Sequence, residues 1–210
     1  MTRALDGATL LAATDELAAR DPELAAIRAR WGPPPLWDRE PGFASLLHIV
    51  LEQQVSLASA RAAFDRLEAA IGRPAPAAFL DLSDAELLAI GFSRQKARYG
   101  RALATAVIDG ALDVDGLAGL GDAAARSALL RQVGIGPWTA DIYLVMALRR
   151  PDVWPTGDLA LATAAAEAKG LATRPSDADL AALAESWRPW RAVAARLLWL
   201  DYLRRRGRPT

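Results

Sequence analysis

The residue best suited by type and setting to do chemistry is Asp158. It closes the run Pro155-Thr156-Gly157-Asp158 and precedes an Ala- and Leu-rich stretch. A carboxylate at such a junction has two compatible readings. It can cap a helix, because an Asp side chain accepts from first-turn amides. The helix N-terminus then favours its ionised form, which is the form that stabilises a developing positive charge or orients a water. Upstream, Gly134-Ile135-Gly136 allows a tight turn with amides left uncovered by side chains. Pro137 suits the first position of the helix that follows. Amides converging from a turn and a helix start suit an anion, with a phosphodiester as the natural candidate. An ordinary antiparallel helix pair joined by glycines is the plainer reading.

The elements that would position these residues are helical. Ala125, Leu129 and Val133 recur at four-residue spacing before the glycines, and 142–148 is apolar all round, predicting a buried helix after them. Pro151 and Pro155 bracket a loop. Elsewhere the pattern predicts helices over 8–19, 22–31 and 43–71, the last with an interruption near its serines. Ser83-Asp84-Ala85-Glu86 is a capping-box pattern, Ser93 caps a helix ended by Gly110, and Ser176 or Asp177 caps another. The last helix opens at Trp187-Arg188-Pro189-Trp190-Arg191 and runs to about residue 205. Tyr99, Leu103 and Val107 form one helical stripe, and Trp31, Trp37 and Trp154 are expected in the core. No stretch alternates with strand periodicity, so the expected class is all-α.

Composition removes several functions. The chain has 210 residues, 52% hydrophobic, so one or two small domains are allowed. Charged residues break every apolar stretch before the ~20 residues of a membrane span, and Asp6 and Asp15 argue against a signal peptide. A soluble, cytoplasmic protein is expected. There is no cysteine, which rules out disulfides and thiolate metal sites, and His48 is the only histidine, which rules out a multi-histidine zinc site. The charges balance at 25 basic and 25 acidic, so binding to a polyanion would need a local basic face. Arg94, Lys96, Arg98 and Arg101 form one cluster and Arg204, Arg205, Arg206 and Arg208 another. The first of these is either a solvated helix face or a DNA-facing one.

With GIGPWTAD at 134–141 followed by PTGD at 155–158, the chain resembles the helix-hairpin-helix (HhH-GPD) DNA glycosylase superfamily. More closely it is similar to the DNA-3-methyladenine glycosylase II, or AlkA, type. PGFASLLHIVLEQQVS at 41–56, GFSRQKARY at 91–99 and WRPWRAVAARLLW at 187–199 extend the resemblance. It implies an all-α fold of two helical lobes with an active-site cleft between them: 1–40 plus about 150–210 in one, about 41–149 in the other, and the helix-hairpin-helix at about 122–149. The AlkA type's extra N-terminal α+β domain is not expected here. The resemblance makes Asp158 the catalytic acid and places Trp138, Trp199, Ile142 and Leu159 at the base pocket, the last two where the family has aromatics. It assigns DNA contacts to Gly134, Gly136, Thr139 and the QQVS turn, with Gln54 filling the gap left by an extruded base and Gln53 and Ser56 beside it. Arg94 and Lys96 are further DNA candidates. Family hairpins often hold a sodium or potassium ion on backbone carbonyls, here near Leu130, Gln132 and Ile135; no other metal, iron–sulfur cluster or cofactor is implied.

The function this implies is hydrolysis of the N-glycosidic bond of alkylated purines in double-stranded DNA, leaving an abasic site for base excision repair. Such bases are cationic and stack on electron-rich indoles. Relatives that also cleave the strand carry a lysine where this chain has Trp138, so a monofunctional enzyme is expected, acting as a monomer at the bacterial nucleoid. Two other readings remain: a non-catalytic helix-hairpin-helix DNA-binding protein, and a glycosylase for deaminated bases.

Overall fold

The structure, a computed structural model, describes residues 4–208. All regular secondary structure among them is helical: α1 (Gly7–Arg20), α2 (Pro22–Trp31), α3 (Phe43–Glu52), α4 (Leu57–Ile71), α5 (Pro76–Asp81), α6 (Asp84–Ile90), α7 (Arg94–Ile108), α8 (Asp122–Leu130), α9 (Pro137–Ile142), α10 (Leu159–Lys169), α11 (Asp177–Ala184) and α12 (Arg191–Arg205), with short 3-10 turns at Gly116–Gly119 and Glu185–Trp187. No helix among the described residues is long and apolar enough to cross a membrane. The chain divides into two compact units, Arg39–Tyr143 and the described parts of Thr2–Asp38 with Leu144–Thr210.

In the first unit, α3 is the central element. Phe43, Leu46, Leu47, Ile49, Val50 and Leu51 are all buried, each worth about 1.5–3 kcal/mol of apolar burial. The expected helix over 43–71 is two helices, broken at 53–56. Gln54 there takes a positive φ of 58°, and Ser56 caps α4 by accepting from the Ser59 amide. A short helix, α5, forms where no periodicity pointed to one. Its Phe79 packs on α7 at Gly100, where a Cβ would lie 2.6 Å from the ring. The buried face of α7 is therefore Ala97, Gly100, Leu103 and Ala104, which leaves Tyr99 and Val107 half-buried beside it.

Half-buried Tyr99 supports the glycine turn. Gly134 has φ +85°, and a Cβ there would meet the Tyr99 ring at 2.3 Å. Gly134 is thus fixed twice, by backbone handedness and by a phenol in contact with it. Gly136 has an ordinary φ of −92° and open space around it. After α9 the ladder widens into a π-helical turn at Tyr143–Ala147. The Tyr143 hydroxyl accepts from the Gly42 amide at 2.9 Å, and burial pushes its pKa up to about 12.

The second unit is assembled on α12, ten of whose residues are buried. Arg196, fully buried, donates to the carbonyls of Leu36 (3.0 Å), Ala192 (3.2 Å) and Val145 (2.7 Å). The last of these lies in the π-helical turn. Burial pulls this guanidinium down to about 10, so it remains a cation at neutral pH. Trp154 is in the core, as expected, but Trp31 and Trp37 are only half-buried; the Trp31 indole donates to Asp201 at 2.7 Å. Asp21, at the start of α2, accepts from Lys169 Nζ (2.8 Å) and the Trp187 indole (2.7 Å). Burial alone would raise the Asp21 carboxyl, but Lys169, Trp187 and the Leu24 amide outweigh it and hold it below 3.8.

A carboxyl depressed in this way adds stability above its ordinary pKa and loses it as pH falls through the folded value. Lys169→Met should cost about 3 kcal/mol near neutral pH and progressively less in acid, read by urea unfolding at about pH 7 and about pH 3. Gly134→Ala should cost at least about 2 kcal/mol and Gly136→Ala no more than about 0.5 kcal/mol. Equal losses in thermal denaturation would contradict the account of the turn.

Candidate active site

Asp158 is the N-cap of α10, and its Oδ1 accepts the Leu161 amide at 2.8 Å. The indole Nε1 of Trp199, on α12, also donates to Oδ1 at 3.4 Å, a long bond. Trp199 itself is buried, 8% exposed. Two donors on one oxygen fix the carboxylate plane without sealing it in: Asp158 is half-buried, Gly157 before it is exposed, and Leu159 after it is 68% exposed. The helix N-terminus and the indole both favour negative charge here. The arrangement can hold an anion next to a group that is becoming cationic.

The turn between α3 and α4 and the glycine hairpin are joined by one side chain. Gln53 Nε2 donates to the Gly134 carbonyl (2.9 Å) and to Thr139 Oγ1 (2.9 Å). Thr139 is 2% exposed, so its hydroxyl serves this internal clamp. The clamp leaves Gln54 exposed in its left-handed conformation, with Val55 (45%) and Leu57 (60%) also exposed nearby. Ser56, exposed, serves as the α4 cap and lies 2.8 Å from Ser59 Oγ. The turn tip therefore presents one long amide side chain followed by exposed apolar residues, none of them packed internally.

The remaining candidates sort by burial. Trp138 is half-buried in the first turn of α9, and Ile142, at its end, is buried at 4%. Arg94 is exposed, whereas Lys96 Nζ donates to the Leu51 carbonyl at the end of α3. Burial lowers the Lys96 pKa. Lys96 is therefore a cap on α3 rather than part of an outward basic face. Around the hairpin, the Ile135 amide donates to the Gln132 carbonyl at 3.1 Å, and Gly136 opens α9 without a side-chain cap. The hairpin carbonyls are neutral oxygen donors of the kind a monovalent cation accepts, but those of Gln132 and Gly134 already take an internal N–H. No group of three or more metal-type side chains gathers among the described residues.

Sequence reasoning did not foresee the clamp role of Gln53, Tyr99 as the support of Gly134, or Arg196. The clamp and the tyrosine contact join residues far apart in the chain and leave no periodic trace. Arg196 did leave one: it is a lone charge within the apolar run AVAARLLWL.

Residues 47–189 match the sequence model of the HhH-GPD superfamily of base excision DNA repair proteins. Over 198 residues the chain is 34% identical to the probable bifunctional transcriptional activator/DNA repair enzyme AlkA of Mycobacterium tuberculosis, covering 88% of this chain and 38% of that protein. It is 26% identical over 162 residues to the putative DNA-3-methyladenine glycosylase YfjP of Bacillus subtilis, covering 73% and 56%. The chain thus spans about half the length, or less, of these curated relatives. Among solved structures, the 3-methyladenine DNA glycosylase Mag1 of Schizosaccharomyces pombe, in complex with abasic DNA, superposes with a TM-score of 0.82 at 25% identity, covering 90% of this chain and 95% of that one. With a cap-held carboxylate after the PTGD run and a glycine hairpin clamped to the turn before α4, this chain belongs to the HhH-GPD superfamily of base excision DNA repair proteins.

Proposed function

We propose that the chain is a monofunctional DNA glycosylase that hydrolyses the N-glycosidic bond of alkylated purines of the 3-methyladenine and 7-methylguanine kind. The observation that carries this reading is the half-exposed Asp158 carboxylate, held by the Leu161 amide and the Trp199 indole. In the reaction the C1′–N bond breaks and its electron pair leaves with the base, neutralising the cationic purine. Positive charge develops on the sugar, as in glycoside hydrolysis, and Asp158 stabilises it. Water then adds at C1′ and gives up a proton, leaving an abasic site and a free base.

The base must first leave the duplex stack. Gln54 takes the place of the departing nucleotide, and the hairpin amides of Gly134 and Gly136 hold the phosphodiester. The Trp138 indole receives the cationic purine, with Leu159 as an apolar neighbour of the acid in place of an aromatic. The family resemblance and the relatives' names support this assignment. The reading requires no resident cofactor: the leaving group is activated by its own charge, and a hairpin cation would at most add to phosphate binding.

The lysines support a single-step enzyme. The chain has only Lys96 and Lys169; Lys96 Nζ bonds the Leu51 carbonyl, and Lys169 Nζ bonds Asp21 and Glu23. Neither is positioned as an amine nucleophile, and the place of the relatives' Schiff-base lysine is held by Trp138. The partner proposed is double-stranded DNA with a damaged base, bound by a monomer.

Asp158→Asn should reduce release of methylated purines from alkylated DNA by about a hundredfold or more while retaining binding to a duplex with an abasic site. Release at the parent rate would remove Asp158 from the mechanism. A panel of lesions that includes deaminated bases tests the substrate class, and preferential loss of a deaminated base would reassign it. Borohydride treatment during turnover should trap no covalent protein–DNA adduct; an adduct would show an amine at work.

A further inference from the structure

The arginines of the Arg39–Tyr143 unit divide cleanly by partner. Six are engaged within the protein: Arg39 on Glu52, Arg61 on Asp65, Arg66 on the Ile90 carbonyl, Arg73 on Glu40, Arg101 on Asp84 and Arg126 on Asp141. The remaining three, Arg94, Arg98 and Arg131, are exposed, and no carboxylate of the described residues lies within 4.0 Å of them. Arg131 makes only a long contact to Ser127 Oγ, at 3.4 Å.

These three are not scattered. Arg94 opens α7 and Arg98 follows one helical turn later, on the same side of the helix. The Arg98 guanidinium lies 5.5 Å from the centroid of the Tyr99 ring, the ring that Gly134 rests against. Arg131 is the C-cap of α8, just ahead of Gly134 in the chain. Lys96, between the first two in sequence, is withdrawn onto the Leu51 carbonyl. Guanidinium groups without carboxylate partners therefore collect on the elements that carry and support the hairpin, in a chain whose total charge is zero.

We propose that Arg98 and Arg131, together with Arg94, form a strip that takes successive phosphates of duplex DNA beside the hairpin. A planar guanidinium suits a phosphate's oxygens. In a chain of balanced charge, such a local concentration of one sign adds the long-range attraction for a polyanion that backbone amides alone do not supply. Arg98, lying over the Tyr99 ring, is also restrained before binding, so less rotamer freedom is lost on contact. The strip rests on the proposed function only for its ligand, double-stranded DNA, and assigns no part in breaking the glycosidic bond.

Each phosphate neutralised releases condensed counterions, which makes the salt dependence of binding a count of contacts. The test is titration of the full chain against a duplex containing an abasic-site analogue, across a series of KCl concentrations. Alanine at Arg94, Arg98 or Arg131 should lower the slope of log affinity against log salt by about one each, and the triple variant by about three. Arg98→Lys, which keeps the charge, should hold the slope closer to the parent value, and Arg73→Ala, whose partner is Glu40, should leave it unchanged. A triple variant of parent helicity and parent slope overturns the proposal, as would an Arg73→Ala loss as large as that of Arg98→Ala. The two readings fail separately. A parent protein that releases no base while the triple variant loses slope retains the strip and ends the glycosylase assignment. Base release with an unchanged slope does the reverse.

Discussion

A single side-chain amide, that of Gln53, joins two segments that no regular backbone ladder connects. Its nitrogen bonds both the Gly134 carbonyl and the Thr139 hydroxyl, so the end of α3, the glycine turn and the start of α9 are tied at one point. Net worth per hydrogen bond is only about 1 kcal/mol, but the geometric effect is larger. The clamp fixes where α3 stops, hence where Gln54 adopts its left-handed backbone and where α4 begins. Tyr99 holds the opposite requirement, leaving room at Gly134 for a hydrogen and nothing more. An amide and a phenol from two helices thus decide the shape of a turn that has little core of its own.

In the other unit the constraint is electrostatic. Asp158, half-buried, must be held in one orientation. The Leu161 amide and the Trp199 indole both bond Oδ1, while Arg196, on the same helix as Trp199, is committed to backbone carbonyls. Both donors act on one oxygen and so orient the carboxylate.

Local signals in the sequence were read well wherever the physics is local. The capping box at Ser83 forms with both of its bonds, Asp21 and Pro22 start α2 as their types dictate, and Asp158 caps α10. The break at 53–56 was visible only as a polar interruption, because what ends α3 there involves residues of the hairpin. Lys96 and Thr139 are polar and near a motif, yet both turn inward: Lys96 Nζ donates to the Leu51 carbonyl, and the Thr139 hydroxyl accepts from the Gln53 amide. Trp31 is expected in the core because indoles are large, yet its ring stays half-buried while its N–H donates to the buried Asp201 carboxylate. In each case the missing information was the identity of a distant partner, which spacing does not encode.

The scarcity of soft nucleophiles has a consequence for the protein's own survival. The chain has no thiol, its two amine side chains are occupied by hydrogen bonds, and the Nε2 atom of its sole imidazole is buried against Phe64 and Glu52. Guanidinium groups, which carry nearly all of its positive charge, are poor targets for electrophiles because they do not give up a proton at neutral pH. Methylating agents that damage nucleobases would therefore find no thiol and few accessible amine or imidazole nitrogens on this molecule.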